Sequence, residues 1–218
     1  ASKTVTNKEN GYGYTYVSRE VLFNLDPETG ELIHEWENPW TGDTLEVIHI
    51  ANDPVNSRYP TYAYGKRGPF KLPAVIHDGH FMMNMEIPLF YPNPLGGEHQ
   101  KFVGGFYQAH EMFNWFGRTD DLFDATKPSS TDVNVGWARA AQWLPWMEMG
   151  SLEGSTLYHG LGKRVKNFDD LPDVLTNTIR EKYPKYEFPP DLNDERSNMT
   201  SWIYFKKLKA GEIENPWE

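Results

Sequence analysis

The segment FKLPAVIHDGHFMMNMEIPLFY, residues Phe70–Tyr91, decides the fold that this sequence predicts. Within it, Asp78-Gly79 separates two runs rich in apolar and β-prone residues, a pattern typical of a tight β-hairpin. If these two residues form the turn, His77 lies opposite His80 and each residue further out pairs with its mirror partner. The segment therefore predicts an antiparallel hairpin, and we expect the other strands of the chain to be arranged beside it.

Alternation along the hairpin separates two unlike faces, because successive side chains of a strand point to opposite sides. One face is wholly apolar and is expected to be buried. It comprises Phe70, Leu72, Ala74, Ile76, Phe81, Met83, Met85 and Ile87. The other face mixes polar and apolar side chains, which suits the wall of a pocket. It comprises Val75, His77, His80, Met82, Asn84 and Glu86.

Composition limits the class of protein. The 218 residues predict a single domain spanning 1–218, in which residues 1–13 form a loose arm and 209–218 a polar tail. Aromatic residues make up 15% of the chain and favour β-strands. The formal net charge of −10 argues against nucleic acid as a partner, and no apolar run is long enough to insert into a membrane. The chain has no cysteine, which excludes disulfides and thiolate chemistry. The composition leaves the formation of a homo-oligomer open.

Strands are also predicted before the hairpin. Turn signals at 26–30 and 38–43 divide residues 14–51 into a meander of three strands. If the second loop closes on residues 40–43, His34 and His49 become directly opposed. In the same register Trp36 lies against Val47. A second pair of histidines is therefore expected on one face of the sheet.

After the hairpin, Phe102–Phe116 is predicted as a long strand. One of its faces is again mixed and comprises Phe106, Gln108, His110, Met112 and Asn114. The pattern of Val133–Met149 leaves strand and helix open, and Ser155–Val165 is predicted as a short strand. Asp169–Tyr183 carries the start and stop signals of a helix, and Thr200–Leu208 is predicted as the last strand.

These elements predict a mainly β fold with antiparallel strands and one helix in the C-terminal half. A closed or nearly closed, lipocalin-like barrel fits this set, because closure removes the exposed edges of a sheet. A barrel of about eight strands can hold one small ligand. The alternative is an α+β fold in which a strongly curved sheet forms a cone and the helix plugs one side.

The histidines of the mixed faces are the main indication of chemistry, because imidazole changes its charge near neutral pH. If the strands of Glu86 and His110 are neighbours, the two side chains come within hydrogen-bonding reach. A carboxylate beside an imidazole raises its basicity and favours one tautomer. We therefore predict His110 as general base, Glu86 as its partner or as the acid, and His80 as a third catalytic residue.

Other polar side chains are predicted to bind the substrate. Asn84 and Gln108 can donate hydrogen bonds to a developing oxyanion. Arg139 stands among tryptophans in the sequence and can bind a carboxylate or stack on a ring. The remaining predicted contacts are Asn114, His49, His34, Trp36 and Met82.

Together these residues predict an enzyme that performs acid–base chemistry without a cofactor. The reaction would be that of an isomerase, cyclase, lyase or hydratase, on a small apolar or aromatic molecule inside the barrel. The first alternative is a non-catalytic protein that binds a hydrophobic ligand in the same pocket. The second is a metal-dependent lyase or hydrolase with histidine ligands, for which His77, His80 and His110 are the candidates, whereas the leading prediction includes no metal.

Four separate blocks carry a resemblance to a known family. They are EVLFNLDPETGELIHEWENPWTGDTLEVIHIANDPVN, MEIPLFYPNP, WLPWMEMG and NMTSWIYFKK. From about Ser18 to Lys207 the chain resembles domain of unknown function family 1838, a resemblance that implies no particular activity. Members are often exported bacterial proteins, many with a twin-arginine leader, so the resemblance implies export to the periplasm or beyond, with the cytoplasm as the alternative. A removed leader would agree with a chain that begins without methionine.

Overall fold

The computed structural model describes residues 2–8, 11–55, 62–63, 66–67, 74–124, 126–127, 132–191, 194, 196 and 199–218. The earlier strands are β1 (Ser2–Lys8), β2 (Gly11–Leu22), β3 (Glu35–Glu37), β4 (Thr44–Glu46), β5 (Ile50–Val55), β6 (Tyr62–Ala63) and β7 (Lys66–Arg67). The later strands are β8 (Ala74–His77), β9 (His80–Pro92), β10 (Phe106–Arg118), β11 (Val133–Ala141) and β12 (Thr156–Lys163). The α-helices are α1 (Asp120–Phe123), α2 (Asp173–Lys182) and α3 (Ser201–Lys209). Short 3-10 turns cover Gly97–Phe102, Pro145–Met147, Phe168–Asp170 and Pro184–Glu187.

The largest described sheet is an antiparallel meander of five strands in the order β12-β11-β10-β9-β8. The predicted hairpin within it is confirmed. Asp78 and Gly79 have φ of 46° and 69°, as a type I′ turn requires, and His77 pairs with His80. The predicted apolar residues Phe70 and Leu72 lie outside the described residues.

The strands after the hairpin follow the sequence pattern closely. β10 begins four residues later than predicted, because a 3-10 turn ends at Phe102 and Gly104, with φ of 75°, precedes the strand. Residues 133–149, for which strand and helix were both open, form β11 and then the 3-10 turn Pro145–Met147. The predicted short strand is confirmed as β12.

The N-terminal region differs from the prediction. β1 pairs with β2 along its whole length, so residues 2–8 are not a loose arm. β2 also pairs with β5, and these strands form a sheet in the order β1-β2-β5. β3 and β4 form a separate two-stranded ribbon instead of joining the other strands in a meander. The three strands predicted for residues 14–51 are therefore divided between two sheets.

The β3–β4 ribbon has a register two residues away from the predicted one. Val47 lies opposite His34 and not Trp36, since the Val47 N–H donates to the His34 carbonyl at 2.9 Å. The cause is Asn38, which is fully buried and whose Oδ1 accepts the N–H of Trp40 at 2.9 Å. This side-chain bond organises a longer loop than the sequence predicts.

A closed barrel is not confirmed. The five-stranded sheet ends at β8 on one side and at β12 on the other, and the other described strands form sheets of three, two and two strands. The coarser prediction, a mainly β protein with antiparallel sheets and few helices, is confirmed.

The last predicted strand is wrong, because α3 occupies this segment. The hydroxyl of Thr200 accepts the N–H of Ile203 at 3.3 Å and caps the helix. Helical spacing brings Trp202 and Phe205 to one side, where they are 1% and 3% exposed. β-prone residues therefore form a helix here, since the cap and the buried contacts outweigh local preference.

The main core lies where β5, β10, α2 and α3 approach one another. Its buried members are Ile48, Ile50, Ala51, Leu95, Val103, Tyr107, Tyr183, Trp202, Tyr204 and Phe205. The predicted helix is confirmed in its central part as α2, with Pro172 just before its first turn. The C-terminal tail also contributes, because the indole N–H of Trp217 donates to the hydroxyl of Tyr183 at 3.0 Å.

Candidate functional site

The five-stranded sheet has two faces of different accessibility. Side chains along β10 are alternately exposed and covered. We call the covered side the inner face. On β10 it carries Tyr107, Ala109, Glu111, Phe113 and Trp115. We call the other side the outer face. On β10 it carries Phe106, Gln108, His110, Met112, Asn114 and Phe116. Directly opposed residues of neighbouring strands share a face, so the register extends both faces across the sheet.

The predicted catalytic pair lies on the outer face. Glu86 lies directly opposite Met112 and diagonally across from His110. His110 Nε2 is 3.8 Å from Glu86 Oε2. The two residues are therefore brought together, as the sequence predicts. However, their side chains are 47% and 70% exposed, so the described residues do not enclose them in a pocket. An ion pair in such a solvated position contributes little.

His80 does not join this pair. It lies six residues from Glu86 on β9, a separation of roughly 20 Å along a strand. It also pairs with Arg118, eight residues from His110 on β10, which places the two histidines roughly 27 Å apart. The three histidines suggested as metal ligands are therefore not one group. Among the residues that the structure describes, no three metal-ligating side chains stand together.

The predicted binding residues of the outer face are spread along it. Asn84 and Asn114 are directly opposed, and Met82 lies opposite Phe116. Gln108 is closer to the other end of the strand. All four predicted side chains are exposed, so the outer face presents them to solvent.

Arg139 lies on the inner face, away from the other predicted binding residues. It is directly opposite Glu111, with Nη1 2.9 Å from Oε1, and the side chains are 18% and 16% exposed. Its Nη2 donates to the hydroxyl of Tyr107. Arg139 Nε is buried and has no acceptor among the described residues. The inner face thus holds a partly buried cluster of charged and polar groups in which one guanidinium N–H still lacks a partner.

Glu20 of β2 adds a second carboxyl group to this cluster. Desolvation by the surrounding protein raises its pKa, and repulsion by Glu111 raises it further, while Arg139 lowers it. The side chain nevertheless remains exposed by surface area. A raised pKa moves the titration of this carboxyl group towards neutral pH, which favours a role in proton transfer.

Three tyrosines lie beside the Arg139–Glu111 pair. Burial raises the pKa of Tyr107 to about 12. Burial also raises the pKa of Tyr91 and that of Tyr158. Tyr91 is opposite Tyr107, with ring centroids 5.0 Å apart, and Tyr158 is opposite Arg139. Because these phenols stay protonated near neutral pH, each can donate a hydrogen bond.

Aromatic rings extend the inner face beyond the charged cluster. Phe113 stacks with Trp115 at 6.0 Å between centroids and contacts Trp137 at 6.3 Å. Trp137 in turn lies 5.6 Å from Tyr158. Gly160 is directly opposite Trp137, and a Cβ there would come within 3.3 Å of the indole. These aromatic residues are only half-buried, which leaves ring surface accessible to a ligand.

A separate cleft of about 640 Å³ lies beside the β3–β4 ribbon. It is lined by His34, Glu35, Thr44, Leu45, Glu46, Val47, Glu181, Lys182 and Trp217. The His34 ring lies 5.7 Å from that of His49 and 5.1 Å from the indole of Trp217. The predicted histidine pair therefore does converge, although the two residues are not directly opposed. Trp36 lies apart from this lining and packs edge-to-face on Trp146, with ring centroids 5.9 Å apart.

His49 is buried behind this cleft, at 2% exposure. Its Nδ1 accepts the N–H of Asn24 at 3.2 Å, and its Nε2 has no partner among the described residues. Burial lowers the pKa of His49 to about 4, with a further contribution from His34. His49 is therefore neutral at neutral pH, which fits a structural role better than that of a base.

The sequence pattern does not reveal most of the inner-face cluster. The predicted catalytic residues are mainly histidines, whereas the inner face contains none among the residues described for β9–β12. One signal is present, because Glu111 is the single charged residue on an otherwise apolar face of its strand. A charged residue in such a position requires a partner. Nothing local in the sequence indicates that Arg139 is that partner or that Glu20 comes close.

Comparisons with known proteins give a family but no function. None of the curated proteins and none of the solved structures matches the chain. One family model, described as "Protein of unknown function (DUF1838)", matches residues 1–209. Because this match covers nearly the whole chain, it confirms the resemblance of the four sequence blocks. The protein belongs to the DUF1838 family.

Proposed function

We propose that the protein is a cofactor-independent enzyme that performs acid–base chemistry on a small aromatic or apolar molecule bound to the inner face. The observation that carries this proposal is the cluster of Arg139, Glu111 and Glu20 beside half-buried aromatic rings. Functional sites commonly combine apolar surface, a few convergent polar groups and a carboxyl group with a shifted pKa.

Each group of the cluster has a role that its environment favours. Arg139 is held by Glu111 and Tyr107 and would orient a carboxylate or stabilise an enolate-like oxygen of the substrate. Glu20, with its raised pKa, would transfer the proton. Tyr158 would donate a hydrogen bond to the same oxygen. Isomerisation, cyclisation, elimination and hydration all need such a set of groups.

The sequence also predicts His110 and Glu86 as the catalytic pair, and this assignment competes with the inner-face site. Proton transfer within a poorly solvated, aromatic environment is more effective than at an exposed surface, which favours the inner face. The proposal also includes a lipocalin-like arrangement in which the rest of the chain encloses the inner face.

The experiment begins with native mass spectrometry of gently purified protein, which identifies any small molecule that co-purifies. That molecule and related aromatic ketones and carboxylic acids are then incubated with the protein in D₂O. Proton-transfer catalysis appears in NMR spectra as deuterium incorporation at carbon. We expect Glu20→Gln to slow the exchange by about 10²-fold or more.

Matched variants on the outer face serve as the control. His110→Gln and Glu86→Gln should leave the exchange rate within about twofold of the wild type if the inner face is the site. Loss of exchange in these two variants, with full activity in Glu20→Gln, would assign the chemistry to the outer face and overturn our assignment.

A second candidate is a binding protein that does no chemistry. The observation in its favour is that Arg139 and Glu111 already neutralise each other, so the pair could simply orient a ligand. In that case the co-purifying molecule would be released unchanged and no deuterium would be incorporated. Arg139→Met would weaken its binding, whereas Glu20→Gln would not affect it.

Export is a further proposal that is based on the family resemblance alone. Within the described ranges, no helix is both long and apolar enough to cross a bilayer. Fractionation of cells that produce the full gene product would test export. Recovery of the protein only from the cytoplasm would contradict it.

A further inference from the structure

The outer face of the five-stranded sheet exposes an unusual amount of apolar surface. Eight large apolar side chains on it are between 39% and 94% exposed. They are Val75, Met82, Phe90, Phe106, Met112, Phe116, Leu157 and Leu161. Single exposed apolar residues are common on protein surfaces, but eight of them on one face of a sheet indicate an interaction site.

The register shows that these residues share one face of the sheet, where polar side chains such as Asn84 and Asn114 stand between them. One row across the sheet runs from Val75 through Met82 to Phe116. Another row crosses Asn84 and Asn114 before it ends at Leu161. A third row runs from His110 through Ala140 to Leu157. A stacked pair at one end, Phe90 and Phe106, completes the patch with ring centroids 5.2 Å apart.

The patch is nearly neutral although the chain has a formal net charge of −10. Its central charged groups are Glu86 and His110, which lie beside each other. Arg118 and Lys163 stand at the end of the patch, and Arg118 is paired with Asp120. A partner recognised through charge would need a charged surface here. The patch instead suits a neutral and apolar surface like itself.

The shape of the patch is also complementary to a second copy of itself. β12 presents Leu157 and Leu161 as protruding side chains on the edge of the sheet, with His159 between them. The neighbouring strand β11 presents only Gly136, Ala138 and Ala140 between this edge and β10. A ridge of leucines therefore lies directly beside a trough of small residues. A second copy, related by a two-fold axis, can place its ridge in this trough while its own trough receives the first ridge.

We propose that the outer face is the interface of a homodimer in which two copies pack sheet against sheet. Five strands spaced about 4.8 Å apart and up to thirteen residues long present roughly 800 Å². One partner of a stable interface typically contributes roughly this area. The proposal is independent of the inner-face site, because the two faces lie on opposite sides of the sheet.

Sedimentation equilibrium on the full chain tests the interface. The wild type should have twice the 25.2 kDa mass of the chain at micromolar concentration. The double variant Leu157→Lys/Leu161→Lys places two positive charges on the ridge and should raise the dissociation constant at least 100-fold. Both side chains are highly exposed on an edge strand, so these changes leave the fold intact, which circular dichroism checks.

The control variant is Leu152→Lys/Phe188→Lys, which adds the same charge at exposed apolar residues outside the patch. It should dimerise like the wild type. Oxidative footprinting adds a second readout, because Met82 and Met112 should be oxidised more slowly in the wild type than in the ridge variant. A monomeric wild type, including one that binds neutral lipid vesicles or another protein through this face, would overturn the proposal. Equal dissociation of the ridge and control variants would overturn it as well.

Discussion

Arg139 and Glu111 face each other directly across β10 and β11, with Nη1 2.9 Å from Oε1 and less than a fifth of either side chain exposed. Removal of one partner leaves a partly buried charge without its counter-charge. We therefore expect Arg139→Met and Glu111→Gln each to lower the free energy of unfolding by about 2–4 kcal/mol. Urea denaturation measures both losses.

The double variant Arg139→Met/Glu111→Gln should lose less free energy of unfolding than the two single variants lose together, by at least about 1 kcal/mol. Arg118→Met is the matched control, because its ion pair with Asp120 is largely exposed. It should lose less than about 1 kcal/mol. Additive losses in the double variant would show that the Arg139–Glu111 contact does not stabilise the protein.

The buried His49 makes stability depend on pH. Its pKa is lowered from 6.5 to about 4 in the folded protein, so the unfolded chain binds an additional proton between these values. The contribution of His49 is complete above pH 6.5 and is lost as the pH falls towards 4. Between pH 7 and 5.5 we expect this one residue to remove about 1 kcal/mol of stability.

Urea midpoints for the wild type and His49→Gln at both pH values measure this effect. Glutamine retains an acceptor for the Asn24 N–H but does not titrate, so the variant should lose less stability on acidification. Identical pH dependence in His49→Gln and the wild type would contradict the assignment.

The turn of the β8–β9 hairpin depends on left-handed backbone conformations. Gly79 has φ of 69°, and apart from its chain neighbours no atom lies within 4 Å of the position that a Cβ would occupy, so a substitution there meets only backbone strain. Gly79→Ala should lower the free energy of unfolding by about 1–2 kcal/mol. Asp78→Asn is the matched control, since asparagine also tolerates this conformation, and it should change stability by less than about 0.5 kcal/mol. Thermal unfolding of Gly79→Ala at the wild-type temperature would refute the strained turn.

The N-terminus of α3 depends on Thr200. Its hydroxyl accepts the N–H of Ile203, so Thr200→Ala should lower the free energy of unfolding by about 1 kcal/mol. Thr200→Ser retains the hydroxyl and should recover most of this loss. Chemical denaturation followed by circular dichroism measures both variants. Equal stability of the alanine and serine variants would show that the cap is not used.

Local patterns in the sequence were sufficient for the hairpin and for much of the sheet. The Asp78-Gly79 turn and the alternation that follows it depend on neighbours along the chain, and both are confirmed. The same alternation correctly places Glu86 and His110 on one face, 3.8 Å apart. Family membership was likewise readable from the four sequence blocks.

Other features depended on contacts between distant segments. Thr200–Leu208 has the residues of a strand but forms a helix, because Trp202 and Phe205 are buried in the core. The β3–β4 register depends on Asn38, whose buried amide donates to the Met147 carbonyl at 3.1 Å, a bond that joins residues far apart in sequence.

The candidate site shows the same division. Alternation along β10 separated Glu111 from His110 and indicated that the apolar face would be covered, but it could not tell that the mixed face would lie open to solvent. That outcome depends on which segments pack over the sheet, and Glu20 reaches the Glu111–Arg139 pair from a strand nearly a hundred residues away. By itself the sequence determined the Asp78-Gly79 turn, the strand periodicity of the large sheet and the family. Only the tertiary structure decided which polar groups lose water and meet, because burial is a property of the packed chain and not of a local segment.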